Sequence, residues 1–230
     1  MAVTFLPVSN EVEAIFRETV ASQDGVVSNC VEFQAQLYMR STTPRALEVR
    51  PRDLVQGGVA LRMIDDQIDV CPYVFRQVCR NGAVMPLASE SFHVLRVDLA
   101  APTDDIDAVS DELRQVLGWC LDPSILETAT DQMQLAVRTE LTVDAEMLDR
   151  LPRDMGISHR DLRHQVVRRL RMERDWTVYG LMNALTSLAR DTQDPEIRWN
   201  LEELGGGVLA QIKMGSKPGD SAADPIGLVH

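Results

Sequence analysis

Residues 159–174, HRDLRHQVVRRLRMER, concentrate basic side chains at helical spacing. With Arg160 at the origin of a helical wheel, Arg163, His164, Arg168, Arg171 and Arg174 fall at about 300°, 40°, 80°, 20° and 320°. Leu162, Val166 and Leu170 fall at about 200°, 240° and 280°, so an apolar stripe runs beside an arginine face. Guanidinium forks match phosphate oxygens, so this face predicts a surface that follows a nucleic-acid backbone. A second use competes with it. Residues 101–156 carry 4 basic and 13 acidic residues, enough to neutralise the row within the molecule or across a subunit contact.

Trp176, Tyr179, Asn183, Thr186 and Arg190 step by 3, 4, 3 and 4 along the next segment, which puts them on one helical stripe. With Trp199 they could form a base-stacking platform, or an aromatic stripe of the core with Asn183 satisfied internally. Cys79-Arg80-Asn81-Gly82 could set a nucleophilic thiol beside an orienting amide. At the end of a helix, however, carbonyl dipoles would hold that thiol protonated. The expectation is therefore that Cys79 packs, Asn81 and Gly82 cap, and Arg76 and Arg80 suit the negative helix end. The carboxylates Asp65, Asp66 and Asp69, and separately Asp104, Asp105 and Asp107, could hold magnesium, but without a nuclease spacing. Cys30, Cys71, Cys79 and Cys120 form no C-x-x-C pair. His93, His159, His164 and His230 form no metal-binding pair either. No metal or other cofactor is expected, and the thiols read as small core hydrophobes of a reducing compartment.

The elements around these residues change character along the chain. A short helix is expected over residues 10–21, with Asn10 as cap and Glu13 completing a capping box. Residues 30–39 alternate with period two and read as one strand. Residues 46–49 read as a short strand, and 57–63 and 67–71 as a hairpin. Pro72 suits the first turn of a helix over 72–80 that stops at Asn81-Gly82. Residues 90–99 alternate again. From residue 103 helical spacing takes over: 103–117, 123–139, a shorter helix from Asp144, 159–174 capped by Ser158, 176–190 capped by Asp175, and a last helix from Asp194-Pro195 to Gly205-Gly206-Gly207. Strands followed by helices predict an α+β fold, an antiparallel sheet with a short helix in the first half and helices in the second. The organisation expected is a single domain over 1–206, sheet-forming over 30–99 and helical over 103–206, with a flexible tail over 207–230.

The chain has 230 residues, 45% hydrophobic and 25% charged, with a net charge of −12. No stretch approaches the ~18 apolar residues of a membrane helix. The opening MAVTFLPVSNEVEAIF lacks a basic leader and meets Glu11 and Glu13 early, which argues against a secretory signal. The overall charge repels nucleic acid at long range. Over a screening length of about 8 Å, only a local patch decides contact.

The stretch Val70-Cys71-Pro72-Tyr73-Val74-Phe75-Arg76-Gln77-Val78-Cys79-Arg80-Asn81-Gly82-Ala83-Val84 resembles a phage and plasmid protein family of unknown function, domain of unknown function nine-three-two. In that family a strand leads into a short aromatic-rich helix ending in Cys-x-Asn-Gly. Tyr179-Gly180-Leu181-Met182-Asn183-Ala184-Leu185-Thr186 is similar to its later Tyr-Gly-x-x-Asn-Ala-x-Thr helix. The resemblance covers about residues 45–190. Where members often carry an Asn-Ser-Glu/His turn with glycines, this chain has Met63-Ile64-Asp65-Asp66-Gln67. The resemblance implies a mobile-element setting and a protein of the host cytoplasm, and assigns no catalytic residue.

The expectation is a non-catalytic accessory protein of DNA metabolism or recombination. It contacts single- or double-stranded DNA through Arg160, Arg163, Arg168, Arg171, Arg174, Trp176, Tyr179 and Asn183, with assembly into a homo-oligomer left open. Two other readings stand beside it. An acidic interaction protein could imitate nucleic acid and inhibit a host defence or recombination enzyme. A metal-dependent hydrolase would use Asp65, Asp66 and Asp69.

Overall fold

The computed structural model describes residues 5–65, 67–85, 93–96, 104–141, 157 and 160–210. In chain order the elements are α1 (Phe5–Ser22), β1 (Val26–Phe33), β2 (Gln36–Thr42), β3 (Ala46–Arg50), β4 (Asp53–Ile64), β5 (Gln67–Arg76), β6 (Asn81–Val84) and β7 (His93–Arg96). The helices α2 (Asp104–Cys120), α3 (Pro123–Arg138), α4 (Arg160–Glu173), α5 (Val178–Asp191) and α6 (Pro195–Ala210) follow. The fold is α+β, with the strands first and most of the helices after them. The seven strands form one sheet in the order β1-β2-β4-β5-β6. β3 pairs with the start of β4 and β7 with the start of β5, and every pairing is antiparallel. Among the described residues no helix is long and apolar enough to cross a membrane.

Alternation along the strands sorts the core onto two faces. Met39, Val59, Leu61, Met63, Ile68 and Val70 share one face, under Phe16 of α1 and Leu113 and Leu117 of α2. Further along that face, Val55, Val74 and Ala83 meet α3, α4, α5 and α6. Each fully buried side chain of this size contributes about 1.5–3 kcal/mol. The opposite face holds Tyr38, Ala60, Cys71, Tyr73 and Val84 against Trp199 of α6. β1 and β2 belong to this same sheet, and α1 packs on the same core.

Several local expectations change. The strand expected over 30–39 is instead a hairpin, because Gln34 and Ala35 turn the chain at φ 50° and 59°. Val31 and Phe33 consequently lie on the opposite face from Leu37 and Met39. Asn-Gly is the usual sequence signal for such a turn, and it is missing here. A left-handed backbone costs a residue with a Cβ about 1–2 kcal/mol. Ala35→Gly is therefore expected to raise the unfolding free energy by roughly 1 kcal/mol, less the added flexibility of the unfolded chain. A urea melt checks this, and an unchanged or lower midpoint contradicts it.

The helix expected over 72–80 does not form. β5 runs straight through Pro72 to Arg76. Its outer edge is shared by β7, opposite residues 67–70, and β6, opposite 73–76. Pro72 sits at the seam, where its missing N–H breaks no ladder bond, while its carbonyl accepts from the Met85 N–H at 2.9 Å. Residues 77–80 are then the turn of a hairpin, with Arg80 at φ 51°.

At the helix ends, α1 begins at Phe5 instead of residue 10. Thr177 caps α5 in place of Asp175, its Oγ1 accepting from the Gly180 N–H at 3.1 Å. α6 continues through its three glycines to Ala210. A Cβ at Gly205 would stand 2.6 Å from Thr186 Cγ2, so the bare glycine lets α5 and α6 approach. The expected helix from Asp144, the Ser158 cap and the tail beyond 210 lie outside the described residues.

Candidate nucleic-acid interface

Val166 and Leu170 are fully buried and fix the roll of α4 against the helical core. The opposite side exposes Arg160, His164, Arg168 and Arg171 within about 80° of arc, and these groups rise by steps of about 4.5–6 Å. Arg174, in the left-handed region at φ 53°, is exposed just past the helix end. Among the described residues, Arg160, Arg168, Arg171 and Arg174 make no ion pair. The acidic residues of 109–141 therefore make no ion pair with the ridge, and the side chains of 104–108 and residues 142–156 lie outside the described set.

Arg163 belongs elsewhere. It is half-buried on the inward side, and its Nη1 donates to the Ile157 carbonyl at 2.9 Å. Arg169 points away from the ridge and donates to Ser187 Oγ at 3.0 Å and Asp191 Oδ2 at 2.6 Å.

The α5 stripe is interior. Tyr179, Asn183 and Thr186 are buried, and Trp176 is half-buried against the same core. No base can stack on Tyr179 or reach Asn183, so both leave the predicted contact set. Trp199 is equally enclosed. Its ring lies 5.0 Å from the Arg62 guanidinium and 5.8 Å from that of Arg40, with Tyr38 tilted against it.

The two motifs that carry the family resemblance meet in space. Asn81 Nδ2 donates to Thr186 Oγ1 at 2.5 Å, and Arg190 Nη1 donates to the Cys79 carbonyl at 2.6 Å. Cys79 sits in a hairpin turn and not at a helix end, so the helix-dipole argument does not apply to it. Its sulfur accepts from Arg76 Nη1 at 3.3 Å. Gly82 is a strand residue whose missing side chain seats the Tyr73 hydroxyl, since a Cβ there would collide with it. Arg80 is exposed in the turn.

Sequence reasoning missed the charge cluster under Tyr179. Asp53 Oδ1 accepts from Arg76 Nε at 2.6 Å. Its Oδ2 accepts from Arg76 Nη2 at 2.7 Å, Tyr179 Oη at 3.0 Å and Arg50 Nε at 3.1 Å. Arg50 also reaches Asp175 at 3.0 Å, and both guanidiniums lie over the Tyr179 ring. Burial alone would push the Asp53 carboxyl up. The bonds and charge of Arg76, helped by Tyr179 and Arg50, outweigh burial and hold it below the usual carboxylate range. A folded-state value below the unfolded one gives stability that is complete above the unfolded value, about 3.9, and is lost as pH falls through the depressed value. Glu173 works in the opposite sense, since burial raises its carboxyl. Asp53→Asn is therefore expected to lower stability at neutral pH and to flatten the acid limb below about pH 4. Urea midpoints at pH 7 and pH 3 test this, and an equally steep acid loss in the variant contradicts it.

Of the carboxylates considered for metal, Asp69 is not free to bind one. Asp69 is buried and held by Arg62 Nε at 2.8 Å and Gln67 Nε2 at 2.7 Å. Asp65 is exposed in the β4–β5 turn at φ 52°, and Asp66 lies outside the described residues. Among the described residues no group of three histidine, cysteine or acidic side chains could hold a metal ion. Burial pushes the Cys71 thiol up to about 12, which leaves it unreactive. A cleft of about 120 Å³ lies between Gly57-Gly58 and the corner joining α2 to α3. Its charged residues are already engaged, Arg45 with Glu127 and Asp122 as the cap of α3.

No protein-family model, curated protein or solved structure matches the chain. The likeness to the phage and plasmid family rests on the two motifs alone.

Proposed function

We propose that the chain is a non-catalytic nucleic-acid-binding protein that grips the phosphate backbone through the outer face of α4. The observation that carries this reading is the exposed row of Arg160, Arg168 and Arg171, extended by Arg174, which makes no ion pair among the described residues. Their spacing along one helix face suits successive phosphates of a strand, and guanidinium forks bind such oxygens without reading sequence. The binding mode is electrostatic and local, because the net charge of −12 opposes approach from a distance. The non-catalytic part of the reading is supported by the buried carboxylates. Asp53, Asp69 and Glu202 are each committed to arginine partners. A mobile-element setting in the host cytoplasm, in DNA metabolism or recombination, is supported by the resemblance of the two motifs.

A mobility shift at low salt with single-stranded and duplex DNA tests the proposal. Retention of either species by the wild-type chain is expected. Absence of retention of both contradicts it.

A further inference from the structure

We propose that His164 is a further phosphate contact of the α4 ridge, made by its imidazolium and not by its neutral ring, so that nucleic-acid binding takes up a proton. The inference rests on the function proposed above and adds a proton-linked residue to the same site. With Arg160 at the origin of the wheel, Arg171 lies at about 20°, His164 at about 40° and Arg168 at about 80°. The imidazole therefore occupies the middle of the arginine arc. Arg160 precedes it by four residues and Arg168 follows it by four, each about 6 Å away along the helix axis. His164 is exposed and, among the described residues, makes no hydrogen bond or ion pair.

A strand whose phosphates rest on Arg160 and Arg168 passes over the imidazole between them. A neutral imidazole meets an anion with one N–H and no charge. The imidazolium meets it with two N–H donors and a charge. A phosphate held there favours the charged form, and the proton comes from solution to the ring nitrogen that lacked one. Histidine is the side chain that makes this change between about pH 5 and 8, a range over which arginine stays charged. The acids of α4 leave the imidazole to the phosphate. Asp161, three residues earlier at about 100°, makes no ion pair with it, and Glu173 lies across the helix at about 220°. From the packed side, α5 turns Asp191 toward α4. There it is bonded to Arg169, at about 180° on the wheel, and to Arg190.

Salt titrations of fluorescence anisotropy with labelled duplex DNA, run at about pH 5.5 and about pH 8, test the proposal. Contacts from Arg160, Arg168, Arg171 and Arg174 predict a slope of log affinity against log salt of about −3.6 at the higher pH. The protonated histidine steepens it by about 0.9 at the lower pH. His164→Gln is expected to show the shallower slope at both pH values. His164→Arg, whose charge is permanent, is expected to show the steeper slope at both. Wild-type binding with the same slope at both pH values overturns the proposal, as does a pH-dependent slope that persists in His164→Gln. Either result leaves the arginine contacts of the proposed function standing. Absence of wild-type binding at both pH values overturns the proposal together with the function it rests on.

Discussion

Glu202→Ala is expected to lower the unfolding free energy by about 3–5 kcal/mol, because it strands a buried guanidinium. Arg40 and Glu202 are each 1% exposed, and Arg40 Nε donates to Glu202 Oε2 at 2.6 Å. The second carboxylate oxygen accepts from Arg198 Nε at 3.0 Å. Without the carboxylate, Arg40 keeps among the described residues only one hydrogen bond, to Asn29 Oδ1 at 3.3 Å, and its Nη2 already has no hydrogen-bond partner among them. Removing one member of a buried pair costs far more than replacing both by apolar groups of similar volume. The double variant Arg40→Met with Glu202→Leu is therefore expected to recover most of the loss. Total stability of a domain is about 5–15 kcal/mol, so the single variant removes a large share of it. Urea unfolding of the wild type, Glu202→Ala and the double variant measures all three. A loss below about 1 kcal/mol for Glu202→Ala would mean that water or a rearrangement satisfies Arg40.

This pair shows where sequence reading reached its limit. Glu202 is one turn beyond Trp199 and one turn before the glycines, on a stripe with the buried Leu209. An acid on an apolar stripe signals a buried partner, but the partner lies 162 residues away on β2. Tyr179 is similar. Its helical stripe was legible, and its fate was not, because the deciding group is Asp53, 126 residues distant. Local signals did better. Pro123 marks the start of α3, where the Asp122 side chain accepts from the Ser124 N–H at 2.8 Å. The order of strands and then helices was legible from the switch in period. Pro72 misled because its place in a strand depends on the seam between two partner strands, which no local rule contains. The exposed side of α4 was legible because Leu162, Val166 and Leu170 define the buried side by spacing alone. Arg163 was misassigned because it was grouped with the ridge by charge, although its wheel position of about 300° borders Leu170 at about 280°, and its side chain bends to the Ile157 carbonyl.

The second large effect concerns the ridge. Replacing Arg160, Arg168 and Arg171 together by glutamine is expected to abolish retention of DNA at moderate salt while leaving the fold intact. Exposed substitutions without partners usually change stability by less than about 0.5 kcal/mol. The loss in binding has a distinct signature, since each neutralised phosphate releases counterions. The slope of log affinity against log salt is about −0.9 per phosphate on duplex DNA and about −0.7 on a single strand. Removing three contacts should make the slope shallower by about 2.7 on duplex or about 2.1 on single strands. Glutamine keeps a hydrogen-bonding side chain, so the change reads out charge. Arg163→Gln serves as the internal comparison. It removes a basic residue from the same helix, but one turned inward, and the slope is expected to stay as in the wild type.

The most direct measurement is a salt titration of fluorescence anisotropy with labelled single-stranded and duplex DNA, run on the wild-type chain and on the triple glutamine variant. The account predicts a steep salt dependence in the wild type and a slope shallower by about 2–3 in the variant. A wild-type chain that fails to bind at the lowest salt, or a variant whose slope matches the wild type, would contradict it.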